Sequence, residues 1–167
     1  MNKISYLINK INKIMNKCVD LATILLIATL ILVVTAQIVW RYFLKDPLLW
    51  TDEFSRYTFI WLSYLSAAIV FREHNHISID ILYVALPSRA QKIIDKINCF
   101  LYLGFFIFVL GVAMKIIPIV MKQITPTLGL QMGYVYLAFP VSAIIMLINL
   151  ISQEFFGEKN ELKGAKN

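Results

Sequence analysis

The stretch WTDEFSRYTFIWLSYLSAAIVF, residues 50–71, decides the fold of this chain. It opens with three charged side chains, Asp52, Glu53 and Arg56, and then continues for 15 residues without a charge. At about 1.5 Å per residue, those residues form roughly 22 Å of helix. Such a helix crosses a bilayer only if the charges at its ends, including Arg72, lie among the lipid headgroups. The stretch therefore predicts a short spanning helix with ionic ends.

Three longer uncharged blocks accompany this stretch, at residues 21–40, 97–114 and 132–153. A helix needs about 17–25 predominantly apolar residues to cross a bilayer, and each block falls within that range. Over 167 residues the chain is 59% hydrophobic and 16% charged, whereas soluble domains are roughly a quarter charged. The sequence therefore predicts an all-α integral membrane protein with four transmembrane helices and no soluble domain.

Residues 1–156 are predicted to form a single membrane domain, followed by a polar tail at 157–167. Apolar residues at helical spacing predict two helices on the membrane surface, an amphipathic one at 3–17 and a second at 77–86. The spanning helices are predicted at 19–42, 51–72, 88–120 and 130–153. The third of these is expected to begin as an amphipathic segment along the surface, and the fourth is expected to contain Pro140.

Basic residues concentrate on one predicted side of the membrane. Eleven of the 16 lysines and arginines precede the first span, separate the second from the third, or follow the fourth: Lys3, Lys10, Lys13, Lys17, Arg72, Arg89, Lys92, Lys96, Lys159, Lys163 and Lys166. By the positive-inside rule, both termini are therefore expected in the cytoplasm. The bases at 3–17 and 89–96 are expected to lie against phospholipid headgroups, so the net charge of +6 does not indicate nucleic-acid binding.

Motifs for chemistry are absent from the sequence. It contains no Gly-rich phosphate loop, no G-x-S-x-G and no zinc-ligand spacing. The only histidines are His74 and His76, which suit either a metal or haem site or, more simply, a polar loop. Because metal sites normally need three or four convergent ligands, we expect no metal, no cofactor and no enzymatic activity.

The charges at residues 52–56 have two interpretations. Asp52 or Glu53 pairs with Arg56 along the helix, with Thr51 as the N-cap of an ordinary helix start. Alternatively, the charges join Arg41 and Trp50 in a cluster that ties helices together or docks a neighbouring protein, since an unpaired charge near the apolar slab is costly.

The order and spacing of several motifs resemble those of one protein family. They are Trp40-Arg41-Tyr42, then Trp50-Thr-Asp52-Glu53-Phe-Ser-Arg56, then Arg72 followed by His76-Ile-Ser-Ile-Asp80, and finally the entry to the last helix at residues 125–140. This pattern, over residues 20–152, resembles the small membrane subunit of tripartite ATP-independent periplasmic (TRAP) transporters.

The resemblance implies a function. In that family a periplasmic binding protein delivers an organic acid, often sialic acid or a C4-dicarboxylate, to a large permease of roughly twelve helices that imports it with sodium. The small subunit packs on the large one in the bacterial inner membrane. The resemblance further implies structural or docking roles for Arg41, Trp50, Asp52, Glu53, Arg56, Arg72, His76 and Asp80. Two alternatives are a redox or haem-anchor subunit and an independent dimeric exporter.

Overall fold

The computed structural model describes residues 3–73 and 88–156 of the chain. These residues form five α-helices, namely α1 Lys3–Val39, α2 Leu49–Glu73, α3 Ser88–Val120, α4 Gly133–Tyr136 and α5 Ala138–Phe156. Four helical stretches are long and apolar enough to cross a membrane: Lys10–Leu44, Leu49–Glu73, Lys96–Val120 and Gly133–Ser152. The predicted all-α membrane fold with four spanning helices is therefore confirmed. The positions of the termini relative to the membrane stay a prediction.

One uninterrupted helix, α1, covers both the predicted amphipathic segment and most of the first span. It contains neither glycine nor proline, so nothing in its backbone interrupts the helical hydrogen bonds. α1 widens into a π-helical turn at Trp40–Leu44, and Lys45 then adopts a left-handed conformation with φ 56°. This residue ends the helix, and Pro47 disfavours helical geometry at Asp46. The connection is short, so α1 and α2 pack as antiparallel neighbours.

The start of α2 differs from the expectation. The helix begins at Leu49, two residues before Thr51. Thr51 is completely buried, and its hydroxyl donates a 2.6 Å hydrogen bond back to the Leu48 carbonyl. An N-cap side chain would instead accept a hydrogen bond from an amide of the first turn. The prediction that Thr51 is the N-cap is therefore wrong, because the residue lies inside the first turn.

A loop over residues 121–132, which we call the turn after α3, connects α3 to α4. Gly133 opens α4 against Met121, and a Cβ at Gly133 would lie 2.5 Å from the Met121 Sδ, so a larger residue would have to displace the Met121 side chain. Leu137 separates α4 from α5. Pro140 lies inside the last spanning stretch, Gly133–Ser152, as expected, and within it occupies the first turn of α5, where its missing N–H leaves no bond of that helix unmade.

The core lies where α1, α2 and α5 meet. Its buried centre consists of Val19, Leu65, Ala68 and Ile145. The remaining spanning helix, α3, packs on α5. Edge-to-face contacts from Phe71 of α2 to Tyr102 and Phe106 of α3 join it to α2. Among the spans, α5 is the most enclosed, with 44% of its apolar window buried against 11–17% for the others. The outer faces of α1, α2 and α3 are therefore free for lipid or protein.

The bundle has two ends. The loop end holds the connections at residues 45–48 and 121–132, and the terminal end holds the start of α1 and the finish of α5. Several predictions lie outside the described residues, namely the surface helix at 77–86, the tail at 157–167, His76 and Asp80. The side chains of Lys3, Arg89 and Lys92 also lie outside the described part.

Candidate functional site

The carboxylate of Glu53 is the centre of a polar site at the loop end. Its Oε2 accepts hydrogen bonds from the backbone N–H groups of Thr127 at 2.9 Å and Leu128 at 2.8 Å. Its Oε1 accepts a third from the Tyr57 hydroxyl at 2.7 Å. Glu53 is only 9% exposed. A buried carboxylate needs such donors. The hydrogen bonds of Glu53 to Tyr57, Thr127 and Leu128, which we call the Glu53 clasp, therefore join the first turn of α2 to the turn after α3.

The geometry of the turn explains why it presents two amides together. Thr125 closes the turn, because its N–H donates to the Leu130 carbonyl at 2.8 Å and its hydroxyl accepts from the Leu130 N–H at 2.9 Å. Gly129 has φ +66°, a conformation that favours glycine. The successive amides of Thr127 and Leu128 then both donate to one oxygen of Glu53, as backbone amides do in anion-binding nests.

Asp52 and Arg56 form the ion pair that the sequence suggests. Their closest atoms are 3.3 Å apart, and the side chains are 70% and 71% exposed. Glu53, the other proposed partner of Arg56, instead binds the turn after α3. An exposed i, i+4 pair contributes only about 0.3–0.5 kcal/mol, so it does little to hold the fold.

Arg41 and Trp50 lie at the same end as Glu53. Arg41 is exposed in the π-helical turn and shares a shallow recess with Asp52. Trp50 is 43% exposed and packs edge-to-face on Phe54, with ring centroids 6.2 Å apart. The structure thus places Arg41, Trp50, Asp52, Glu53 and Arg56 at one end of the bundle, with Glu53 alone among them deeply buried.

At the terminal end, Arg72 joins two helices. Its guanidinium lies 3.1 Å from Asp20 of α1 and 3.2 Å from the neighbouring Glu73. The sequence reasoning missed Asp20 as a partner. Its position could have revealed the pair. Asp20 is the last charged residue before the uncharged block at 21–40, and a carboxylate next to such a block needs a nearby cation.

A pair of asparagine amides forms a second contact at the terminal end. Asn149 of α5 is 1% exposed, and it exchanges two hydrogen bonds with Asn16 of α1, at 2.9 and 3.2 Å. Asn16 also donates to Asn12 at 3.1 Å. The two residues are 133 positions apart in the chain, so no local spacing in the sequence predicts this pair.

The predicted interface bases are exposed where the structure describes their side chains. These residues are Lys10, Lys13 and Lys17 on α1 and Lys96 on α3. Within the described part of the chain, no three histidine, cysteine, aspartate or glutamate side chains lie together in a group that could hold a metal ion. The buried polar groups that the structure brings together thus join helices to one another, at the loop end through Glu53 and at the terminal end through Asn149.

Comparisons with known proteins give the family. The family model of the DctQ component of tripartite ATP-independent periplasmic transporters matches residues 30–158. A small permease protein of a TRAP transporter from Haemophilus influenzae is 30% identical, over 89% of this chain and 94% of its own length. The sialic acid TRAP transporter small permease SiaQ of Vibrio cholerae is 25% identical, over 87% and 84%.

A third relative is much longer than this chain. The isethionate TRAP transporter permease DctMQ of Oleidesulfovibrio alaskensis is 31% identical over 77% of this chain, and the match covers 21% of its own length. The region equivalent to this chain is thus one part of a larger permease polypeptide in that relative. With its four spanning helices, the chain is a multi-pass inner-membrane protein and belongs to the DctQ family, the small permease component of TRAP transporters.

Proposed function

We propose that this chain is the accessory subunit of a sodium-coupled TRAP transporter that imports an organic acid delivered by a periplasmic binding protein. In this proposal the chain packs on the large permease subunit and enlarges the static scaffold against which the moving part works. It carries no transport site and catalyses no reaction. Both termini lie in the cytoplasm, as the distribution of basic residues predicts.

One observation carries this proposal: the central stretches of the spans hold no charged residue, and the principal buried polar groups tie helices together. Residues 21–40, 57–71, 97–114 and 132–153 contain no Asp, Glu, Lys or Arg. The buried carboxylate of Glu53 and the buried amide of Asn149 both have partners on other helices or turns. Transport pathways are usually marked by intramembrane charges, and these residues supply none.

The family supports a large partner. TRAP small subunits act with large permease subunits, and relatives occur in which the two are parts of one polypeptide. The packing of this chain is consistent with such a partner, since no more than 17% of the apolar window of each of the first three spans is buried within the chain.

The substrate is proposed only as a class. Relatives named for sialic acid and for C4-dicarboxylates occur in the family, and both compounds are organic acids. Because the chain is proposed not to contact the substrate, its own residues do not choose between these acids.

Co-purification tests the proposal. The chain is co-expressed with the large permease subunit from the same organism, and only the chain carries an affinity tag. Recovery of both proteins in one-to-one ratio after detergent extraction is expected. If the chain elutes alone, or as a dimer with itself, the accessory role is wrong and the dimeric exporter becomes the better interpretation. A haem absorbance band in the purified chain would instead favour the redox-subunit alternative.

A further inference from the structure

One face of α2 is exposed along nearly the whole helix. Six exposed residues recur at spacings of three and four, and at 100° per residue they fall within an arc of about 80°. We define them as the 52–70 face: Asp52, Arg56, Phe59, Ser63, Ala67 and Val70. The opposite side of α2 is buried in the core through Thr58, Leu65 and Ala68. The 52–70 face therefore contacts whatever surrounds the chain.

The chemistry of the 52–70 face does not suit hydrocarbon. It holds two charged side chains, Asp52 and Arg56, which are 70% and 71% exposed at the loop end of the helix. An exposed charge at the edge of the apolar slab is costly against lipid tails. α2 also has a mean hydropathy of only 1.2, against 2.5, 2.4 and 2.1 for the other spans. Of the four spanning helices, α2 is the least apolar by composition.

The outward face of α3 is the other surface available to a protein neighbour. It exposes large apolar side chains, among them Phe100 at 77%, Phe108 at 69% and Leu101 at 61%, together with Gly104, Gly111 and Lys115. Large apolar side chains of this kind are the usual surface toward lipid tails, whereas small residues mark helix–helix contacts because they let backbones approach closely. Ser63 and Ala67 supply small residues in the middle of the 52–70 face.

Local hydrogen bonds satisfy the polar groups of this face within the isolated chain. The Ser63 hydroxyl donates to the Phe59 carbonyl at 2.8 Å, and Arg56 lies 3.3 Å from Asp52. These bonds let α2 insert without a partner. The ion pair nevertheless stays about 70% exposed, and α2 stays the least apolar of the four spans. Both properties suit a polar or closely packed partner.

We propose that the 52–70 face is the surface on which a transmembrane helix of the large permease subunit packs. This inference rests on the proposed function above. The large subunit is the occupant we choose because a relative exists whose single permease polypeptide contains this region as 21% of its length, so the rest of that permease is attached to it. Such a neighbour supplies spanning helices that neither lipid nor a soluble partner offers.

Photo-crosslinking tests the inference. The photoreactive residue p-benzoylphenylalanine replaces Phe59, which is 58% exposed, or as a matched control Phe108, which is 69% exposed. Each variant is co-expressed with the large permease subunit and irradiated in membranes. We expect a covalent adduct between the two subunits from position 59 and none from position 108. An adduct from 108 alone would overturn the assignment, and a dimer of this chain from position 59 would assign the face to a second copy instead.

Two tryptophan variants extend the test and separate its failure from failure of the proposed function. Ser63→Trp adds bulk to the 52–70 face, and Phe108→Trp is the control on α3. Because both side chains point away from the core, the isolated chain should keep its thermal stability. S63W is expected to lower recovery of the large subunit by about tenfold or more, roughly the effect of losing 1.4 kcal/mol of binding free energy, and F108W to leave it unchanged.

If the unmodified chain recovers no large subunit, the proposed function fails, and this inference fails with it. If the unmodified chain recovers it and S63W does so equally well, only the face is wrong.

Discussion

Glu53 accepts a 2.8 Å hydrogen bond from the backbone N–H of Leu128, a residue 75 positions later in the chain. This contact fixes the first turn of α2 against the turn that leads from α3 into α4 and α5. It lies at the loop end, opposite the contacts that Arg72 and Asn149 make at the terminal end. The bundle is thus held by polar contacts at both ends and by an apolar core between them.

Removing the charge of Glu53 should lower the thermal stability of the purified chain more than the same change at Asp52. In Glu53→Gln the side chain keeps its size, but it loses the anion that three donors share. Asp52→Asn is the matched control, because Asp52 is 70% exposed and its ion pair is weak. The melting temperature of each variant in detergent measures the difference. Equal losses in E53Q and D52N would show that the Glu53 clasp is not formed.

The amide pair at the terminal end should be measurable as a coupling between helices. Asn149→Ala leaves Asn16 without its buried partner, which is expected to cost about 1–3 kcal/mol of unfolding free energy. Asn12→Ala, which removes only a contact within α1, should cost less. A double-mutant cycle of Asn16 and Asn149 isolates their interaction. Additive effects of the two single changes would contradict the reciprocal hydrogen bonds.

Arg72→Ala should destabilise the chain more than Glu73→Ala, although the two residues are adjacent. Arg72 is 23% exposed and reaches across to Asp20, whereas Glu73 is 57% exposed at the end of α2. We expect a loss of about 1 kcal/mol for R72A, at the upper end of the range for partly exposed pairs, and a smaller one for E73A. Unfolding by denaturant in mixed micelles gives both values. An E73A loss as large as that of R72A would leave the link between α1 and α2 without support.

A methyl group at Gly133 should be harmful, and one at Gly104 should not. The new Cβ at position 133 would meet the flexible, partly exposed Met121 side chain at 2.5 Å, so we expect a loss of about 1 kcal/mol, the lower end of the range for overpacking. At Gly104 nothing lies within 4 Å, so Gly104→Ala should be neutral or slightly stabilising. Thermal stability of the purified chain compares the two. Combining Gly133→Ala with Met121→Ala removes the side chain that the new methyl group meets, so G133A should cost less stability in the M121A background than in the original chain. An equal cost in both backgrounds would show that Met121 is not the obstacle.

The sequence was sufficient for the number and type of spanning helices. Four uncharged blocks separated by charges leave few alternative folds, and the structure is helical at each, with the last block divided between α4 and α5. Local chemistry was less reliable. Thr51 matched the residue type of an N-cap, but the helix starts earlier because Leu49 and Trp50 also adopt helical geometry. Pro140 lies within the last span, next to the break at Leu137 that divides it into α4 and α5.

Partners far apart in the chain were the part that sequence reasoning could not supply. Glu53 had a suitable base, Arg56, three residues away, and local spacing allowed that pair as well as the pair of Asp52 with Arg56. The true donors are backbone amides, which every residue carries and no sequence pattern distinguishes. The Asn16–Asn149 pair has the same difficulty, since it depends on how α1 and α5 pack. Burial of Glu53 in a membrane bundle required donors, but only the fold identifies them.

The most direct test of the accessory role is uptake by proteoliposomes. Vesicles receive this chain alone, the large permease subunit alone, or both, and are given the periplasmic binding protein, a sodium gradient and labelled sialic acid or C4-dicarboxylate. The proposal predicts no uptake by this chain alone and full sodium-dependent uptake only when both subunits are present. Uptake by this chain alone, or full activity of the large subunit without it, would contradict the proposal.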